Sequence, residues 1–166
     1  LVLSGKWINM PYFETSRILA FGMGKTLEKE NLRKQYMIAQ RLMLQYKERK
    51  GSVTEIFNTE ALAKYWALID ITNGRHGLAW HNQRMYYNPV LCKLEPINFD
   101  NYTDHYDHEE GAIVTALLLD KDHINTPEYQ LTYFSFSSNK VLEKYIQYLE
   151  EYSQDLFLQQ FLDKQT

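Results

Sequence analysis

Six polar residues of this chain are of the right types, and close enough in sequence, to do chemistry: Asp70, Asn73, His76, His81, Asn82 and Asp100. They share one stretch, ALIDITNGRHGLAWHNQRMYYNPVLCKLEPINFD, running from Ala67 to Asp100. Carboxylates and carboxamides are hard oxygen donors suited to magnesium, which completes its shell with water and substrate phosphates. Phosphoryl transfer is the chemistry that such donors serve. It needs a base or positioning group for the acceptor and divalent metal held against the phosphates, and little covalent help from protein. The order here is Asp70 or Asn73, then Asn82, then a hairpin signal, then Asp100. Asn82 and Asp100 are therefore expected to turn into one cleft from either side of the hairpin. Each candidate also has an architectural reading. His76 can cap a backbone carbonyl, His81 can pack beside Trp80, Asn82 can hold its loop through its amide, and Asp100 can cap a helix.

The elements that must position these residues follow from periodicity. Asn58 is a helix cap, with Phe57 and Leu62 at the positions of a hydrophobic staple. Leu62, Tyr65, Trp66 and Ile69 then face one way, and Asn73-Gly74 predicts the end near Thr72. Asp70 falls in the last turn, where a carboxylate opposes the helix dipole. Gly74 to Asn82 has no clean period and reads as a loop. Arg84 to Pro89 and Leu94 to Phe99 read as two short strands around a turn at Val90 to Lys93, with Pro89 and Pro96 at strand ends or edges.

The rest of the chain reads as framework. LVLS at the start and Ser16 to Phe21 read as short strands. GMGKT at Gly22 to Thr26 lacks the earlier glycine of a phosphate-binding loop, since that position holds Leu19, and reads as a turn before a helix. Thr26 to Lys50 is expected as a long helix closed by Gly51, with the stripe Leu32, Tyr36, Ala39, Met43 and Tyr46. Asn101 to Glu110 is polar and acidic, Gly111 to Asp120 is apolar and helix-like, and Thr126-Pro127-Glu128 starts a helix. Asn139 to Lys164 is expected as one helix burying Leu142, Tyr145, Leu149, Tyr152, Leu156 and Phe161. The fold class is thus α+β, mainly helical with a small β-hairpin, in one domain over 1–166.

The central block resembles the spore-coat protein H (CotH-type) kinase-like family. The resemblance rests on the Asp of ALID, the spaced His76, WHN at Trp80 to Asn82, YYNP at Tyr86 to Pro89, and LEPINFD ending in Asp100. It is close over Phe57 to Asp100 and looser in the final helices. It implies the carboxy-terminal lobe of an atypical protein kinase that uses ATP and magnesium to phosphorylate a protein acceptor. It implies Asp100 as metal ligand, with Asn82 shared between metal and nucleotide, and His81 beside it in the catalytic loop. The family's Asp, nine residues before this Asn, is matched by Asn73, so Asn73 is carried as a nucleotide contact and Asp70 as the catalytic carboxylate. No nucleotide-clamping Lys or Gly-rich loop is recognisable upstream. The chain, opening on Leu1, is expected to be a piece of a longer protein, inactive in isolation.

Composition narrows the classes. A net charge of −3 gives no electrostatic reason to expect nucleic acid or anionic lipid. No apolar run approaches a membrane span. Cys92 is the single cysteine, so no internal disulfide can form. Two other classes stand beside the kinase-like one. One is a noncatalytic, pseudokinase-like binding module of a bacterial envelope or extracellular protein. The other is a metal-dependent phosphoesterase drawing on His76, His81, Asp100 and the acidic run Asp104 to Glu110.

Overall fold

Leu62, Tyr65, Trp66 and Ile69 form the buried face of the helix around which the fold is built, α4 (Thr59–Thr72). In the computed structural model, which describes residues 2–3, 6–7, 17–78, 82–101 and 132–163, its start and stop are those the sequence predicts. Asn58 Oδ1 accepts the Glu60 backbone N–H at 3.2 Å. Asn73 closes the helix in the left-handed conformation (φ 51°), and Gly74 N–H returns to the Ile69 carbonyl at 2.9 Å. His81, the acidic run 102–110, the apolar run 111–120 and the helix start at Thr126 lie outside the described residues.

Ahead of α4, β1 (Val2–Leu3) and β2 (Lys6–Trp7) make a minimal antiparallel pair. The strand expected at Ser16 to Phe21 is not found: 17–20 have no regular structure and Phe21-Gly22 is a turn. The expected helix Thr26–Lys50 is two pieces, α1 (Met23–Glu28) and α2 (Glu30–Lys47), separated at Lys29, whose backbone is extended. Arg49, not Gly51, makes the first left-handed step after α2 (φ 54°), and Lys50 N–H bonds the Gln45 carbonyl at 2.8 Å. The helix therefore ends sooner than glycine placement suggests, because backbone bonds to its last carbonyls offset the strain at Arg49. A short helix, α3 (Val53–Ile56), follows on a capping box of Ser52 and Glu55.

The central hairpin forms as expected. β3 (Arg84–Asn88) and β4 (Lys93–Ile97) pair antiparallel, Arg84 opposite Ile97 and Tyr87 opposite Leu94. Asn88 Oδ1 gathers the turn by accepting from Val90 N–H (3.0 Å) and Leu91 N–H (3.2 Å). Leu94 docks the hairpin on the helical body: it is buried, it bridges Phe57, and its carbonyl takes the Asn58 N–H at 2.9 Å.

The carboxy-terminal helix breaks where one continuous element is expected. α5 (Asn139–Tyr152) ends at Ser153, whose hydroxyl donates to the Glu150 carbonyl at 3.0 Å, and α6 (Asp155–Asp163) resumes after it. A serine that satisfies backbone locally competes with the helix ladder. The buried face is also rotated from the expected one. Val141, Tyr145 and Tyr148 are buried against α4, Leu142, Leu149 and Tyr152 flank them, and Leu156 is 61% exposed. Among the described residues the fold is α+β, mainly helical, with one core joining Phe57, Trp66, Ile69, Leu94 and Val141. None of the described helices is long and apolar enough to cross a membrane.

Candidate functional site

The loop after α4 is held in place by the helix it leaves and by the chain beyond the hairpin. A 3-10 turn, Arg75–Leu78, follows Gly74. Tyr65, buried on α4, donates its hydroxyl to the Gly77 carbonyl at 3.3 Å. Burial pushes the Tyr65 phenol well above its ordinary range, which keeps it a neutral donor. Gly74 and Gly77 face Asn101. A β-carbon at Gly77 would run into the Asn101 carboxamide, so the close approach favours glycine as that side chain stands. Asn101 Nδ2 in turn donates to Asn98 Oδ1.

His76 is the junction of this site. Its Nε2 lies 3.1 Å from Asp100 Oδ2, and its carbonyl accepts from Asn82 Nδ2 at 3.0 Å. Asn82 is buried, while Asp100 is 42% exposed. The two residues flanking the hairpin are thus both bound to one residue of the loop. The amide nitrogen of Asn82 performs the loop-holding role, so its oxygen is the end chemically able to ligate a cation. Asp100 sits in the left-handed region (φ 55°), which aspartate tolerates better than most residues. Such backbone is maintained only where the surroundings over-determine it, and it is enriched at functional positions.

Two other expected site residues have architectural work. Asp70 accepts a hydrogen bond from the Tyr145 hydroxyl on α5, which ties the last turn of α4 to its neighbour. Asn73 is the left-handed cap of α4. His81 lies outside the described residues. Asp100 supplies a carboxylate and Asn82 a carboxamide oxygen, each residue making its own contact with His76. No group of three or more His, Cys, Asp or Glu converges among the described residues. Such a donor set fits magnesium, which relies on water and phosphate oxygens for its remaining ligands, and does not fit a closed protein cage.

Beside the hairpin runs a groove that sequence reasoning missed. Its volume is about 600 Å³, within the range of small-molecule sites. Its floor is the α2 stripe Leu32, Tyr36, Ala39, Met43 and Tyr46, and its sides are 17–21 and the start of β3. The expected stripe is half-buried, and Tyr46 alone of the five is fully enclosed. Tyr46 donates to Gln83 Oε1 at 3.1 Å and so ties α2 to the residue after Asn82. Tyr36 donates to the Ile18 carbonyl at 2.9 Å and fixes the 17–21 wall. Arg84 leads from the groove to the loop site: its guanidinium carbon lies 5.7 Å from the Phe21 ring centre and 4.6 Å from that of Phe99, the neighbour of Asp100. The helical period of the α2 stripe was readable, but nothing in the sequence says which partner a stripe faces.

No family model matches the chain, and neither a curated protein nor a solved structure matches it.

Proposed function

We propose that this chain is part of a kinase-like phosphotransferase domain of the spore-coat protein H type, which in the full-length protein moves the γ-phosphoryl group of ATP to a protein acceptor with magnesium. The observation that carries this reading is the closure of Asn82 and Asp100 on His76 from the two sides of the hairpin. Kinases hold their metal ions with an Asn of the catalytic loop and an Asp beyond it. In this reading Asp100 and the Asn82 amide oxygen hold magnesium, which supplies charge neutralisation to the phosphates. His76 orients the Asp100 carboxylate, as partners of metal ligands commonly do. The groove beside Arg84 takes the nucleoside. The transfer is largely dissociative, so positioning outweighs base strength, and His81 and Asp70 are the candidate acceptors of the hydroxyl proton.

A pseudokinase-like binding module is the second reading, favoured by one specific feature: the carboxylate nearest the family's catalytic position, Asp70, is engaged by Tyr145, and Asn73 itself is a helix cap. The test is to supply ATP, magnesium and protein acceptors and follow the γ-phosphate. Transfer that disappears in Asp100→Asn supports the kinase-like reading. Magnesium-dependent ATP binding without transfer supports the binding module. Phosphate released from a simple ester without ATP would overturn both in favour of a phosphoesterase.

A further inference from the structure

Tyr36 and Gln40 stand one turn apart on α2, and both line the groove. A tyrosine hydroxyl has a single proton to give, and a carbonyl can only accept. Tyr36 gives its proton to the Ile18 carbonyl, at 2.9 Å. The contact between Tyr36 Oη and Gln40, at 3.2 Å, must therefore be made by the amide nitrogen of Gln40. This relay sets which end of the Gln40 carboxamide is which. Nε2 is tied through Tyr36 to the wall at 17–21, and Oε1 is the other end. Among the described residues nothing donates to that oxygen. The other carboxamides of the groove are Gln35 and Gln83. Gln83 Oε1 already accepts from Tyr46 at 3.1 Å, and no side-chain hydrogen bond among the described residues orients Gln35.

The lining gives an oriented acceptor its value. Ala39 and Met43 on the same helix and Ile18 on the facing wall are apolar members of the groove. In such surroundings a hydrogen bond is stronger than in open water, and a buried acceptor that a ligand leaves unmatched is costly. The volume of about 600 Å³ suits a body of nucleoside size. A mostly apolar slot with one fixed polar group selects a flat ring that carries an N–H on its edge.

We infer that Gln40 is a specificity-determining residue of the groove: its Oε1 accepts from the exocyclic amino group of an adenine ring lying on the α2 floor. Tyr36 is a positioning residue, because it acts through the Gln40 amide. The choice of adenine rests on the phosphotransferase reading, in which the groove takes the nucleoside of ATP; the oriented acceptor rests on the relay. Both partners of the contact are neutral, so it needs neither a free cation nor a metal.

The experiment is calorimetric titration of the whole chain with adenosine and with purine riboside, which lacks the amino group, in the absence of divalent metal, and with ATP plus magnesium. The wild type should bind adenosine about three- to tenfold more tightly than purine riboside, as one neutral hydrogen bond gives. Gln40→Met replaces the carboxamide by a thioether, a weak acceptor on a side chain of similar length. It should bring adenosine down to the level of purine riboside and leave purine riboside unchanged. Tyr36→Phe frees the amide to turn and should also move the ratio of the two affinities toward one. Should Gln40→Met lose its melting transition, Tyr36→Phe decides by that ratio. Equal affinity of the wild type for the two ligands, an unchanged ratio in the deciding variant, or no binding of either at millimolar concentration would overturn the inference. Asp100→Asn separates it from the phosphotransferase reading. That variant should leave the preference for adenosine intact and abolish the gain from magnesium with ATP. If magnesium-dependent ATP binding ignores Asp100 while the Gln40 discrimination stands, the phosphotransferase reading fails and the base contact survives. Dependence on Asp100 with no discrimination by Gln40 overturns the base contact alone.

Discussion

His76 carries two bonds of different kinds, and they separate its roles. The carbonyl bond to Asn82 holds the loop whatever stands at the side chain, whereas the imidazole meets Asp100. His76→Ala is therefore expected to leave the melting temperature nearly unchanged and to weaken magnesium-dependent nucleotide binding about tenfold, the usual cost of removing a ligand's partner. Titration with ATP and magnesium checks it, and a matching loss in metal-free binding would contradict it. Gly77 is the opposite case. A methyl group there meets the Asn101 carboxamide, so Gly77→Ala should destabilise by about 1–3 kcal/mol, the cost of overpacking, as measured by urea unfolding. His76 as a residue of interest was legible from type and spacing. Its pairing with Asp100 was not, because 24 residues separate them and only the hairpin's register returns the chain to the loop.

At the level of elements, α4 is the part that sequence describes best and packing uses most. Ile69 is fully buried, while its neighbour Leu68 is 36% exposed. Ile69→Ala should cost about 2–5 kcal/mol and Leu68→Ala less than about 1 kcal/mol, by thermal or urea denaturation. Similar values would mean that the face of α4 is misplaced. Asn58 does two jobs, capping α4 and donating to Glu95 Oε1 at 2.9 Å on β4. Asn58→Ala is expected to cost about 1–2 kcal/mol, the upper range of a lost cap. Capping residues and the α4 stripe announce themselves locally, as does the box at Ser52 and Glu55. The rotated face of α5 depends on what α4 presents to it. Tyr145 and Tyr148 face α4, where Asp70 takes the Tyr145 hydroxyl and Lys64 lies 5.0 Å from the Tyr148 ring centre.

For the whole molecule, pH reports how the core is closed. Tyr46 and Tyr65 are both buried, and desolvation is the main cause that raises each phenol above its usual value of 10. A phenol whose ionisation is suppressed in the folded state contributes stability in full below pH 10. That contribution is lost as pH rises above 10, because the unfolded chain then releases protons that the folded chain keeps. Alkaline unfolding should therefore be steep, and Tyr46→Phe should flatten it. Ultraviolet titration of the phenolates together with circular dichroism tests this; early ionisation of Tyr46 without unfolding would contradict the closed core. At the acidic end Glu60, held below its usual 4.5 by the Lys144 hydrogen bond, loses its contribution as pH falls below that value. The pair is partly exposed, so the effect should stay within about 0.5 kcal/mol. In the proposed reading, binding of magnesium and ATP by this chain should be weaker than micromolar, because one carboxylate and one carboxamide leave most of the magnesium shell to water and phosphate oxygens. Micromolar affinity that survives Asp100→Ala would overturn that view and the role of Asp100 together.

Sequence alone determined what depends on neighbours along the chain: the caps of α4, its buried stripe, the central hairpin and its turn, and the residue types that suit magnesium and phosphate. These are set within a few residues by hydrogen-bond inventory, backbone preference and period. Tertiary structure alone decided which of those residues meet. It joined His76 to Asp100 and Asn82, gave Asp70 to Tyr145, opened the α2 stripe onto a groove and set Arg84 near the rings of Phe21 and Phe99. Such contacts follow from how helices and a hairpin stack in three dimensions, and a one-dimensional pattern carries the face of an element but not the identity of what lies against it.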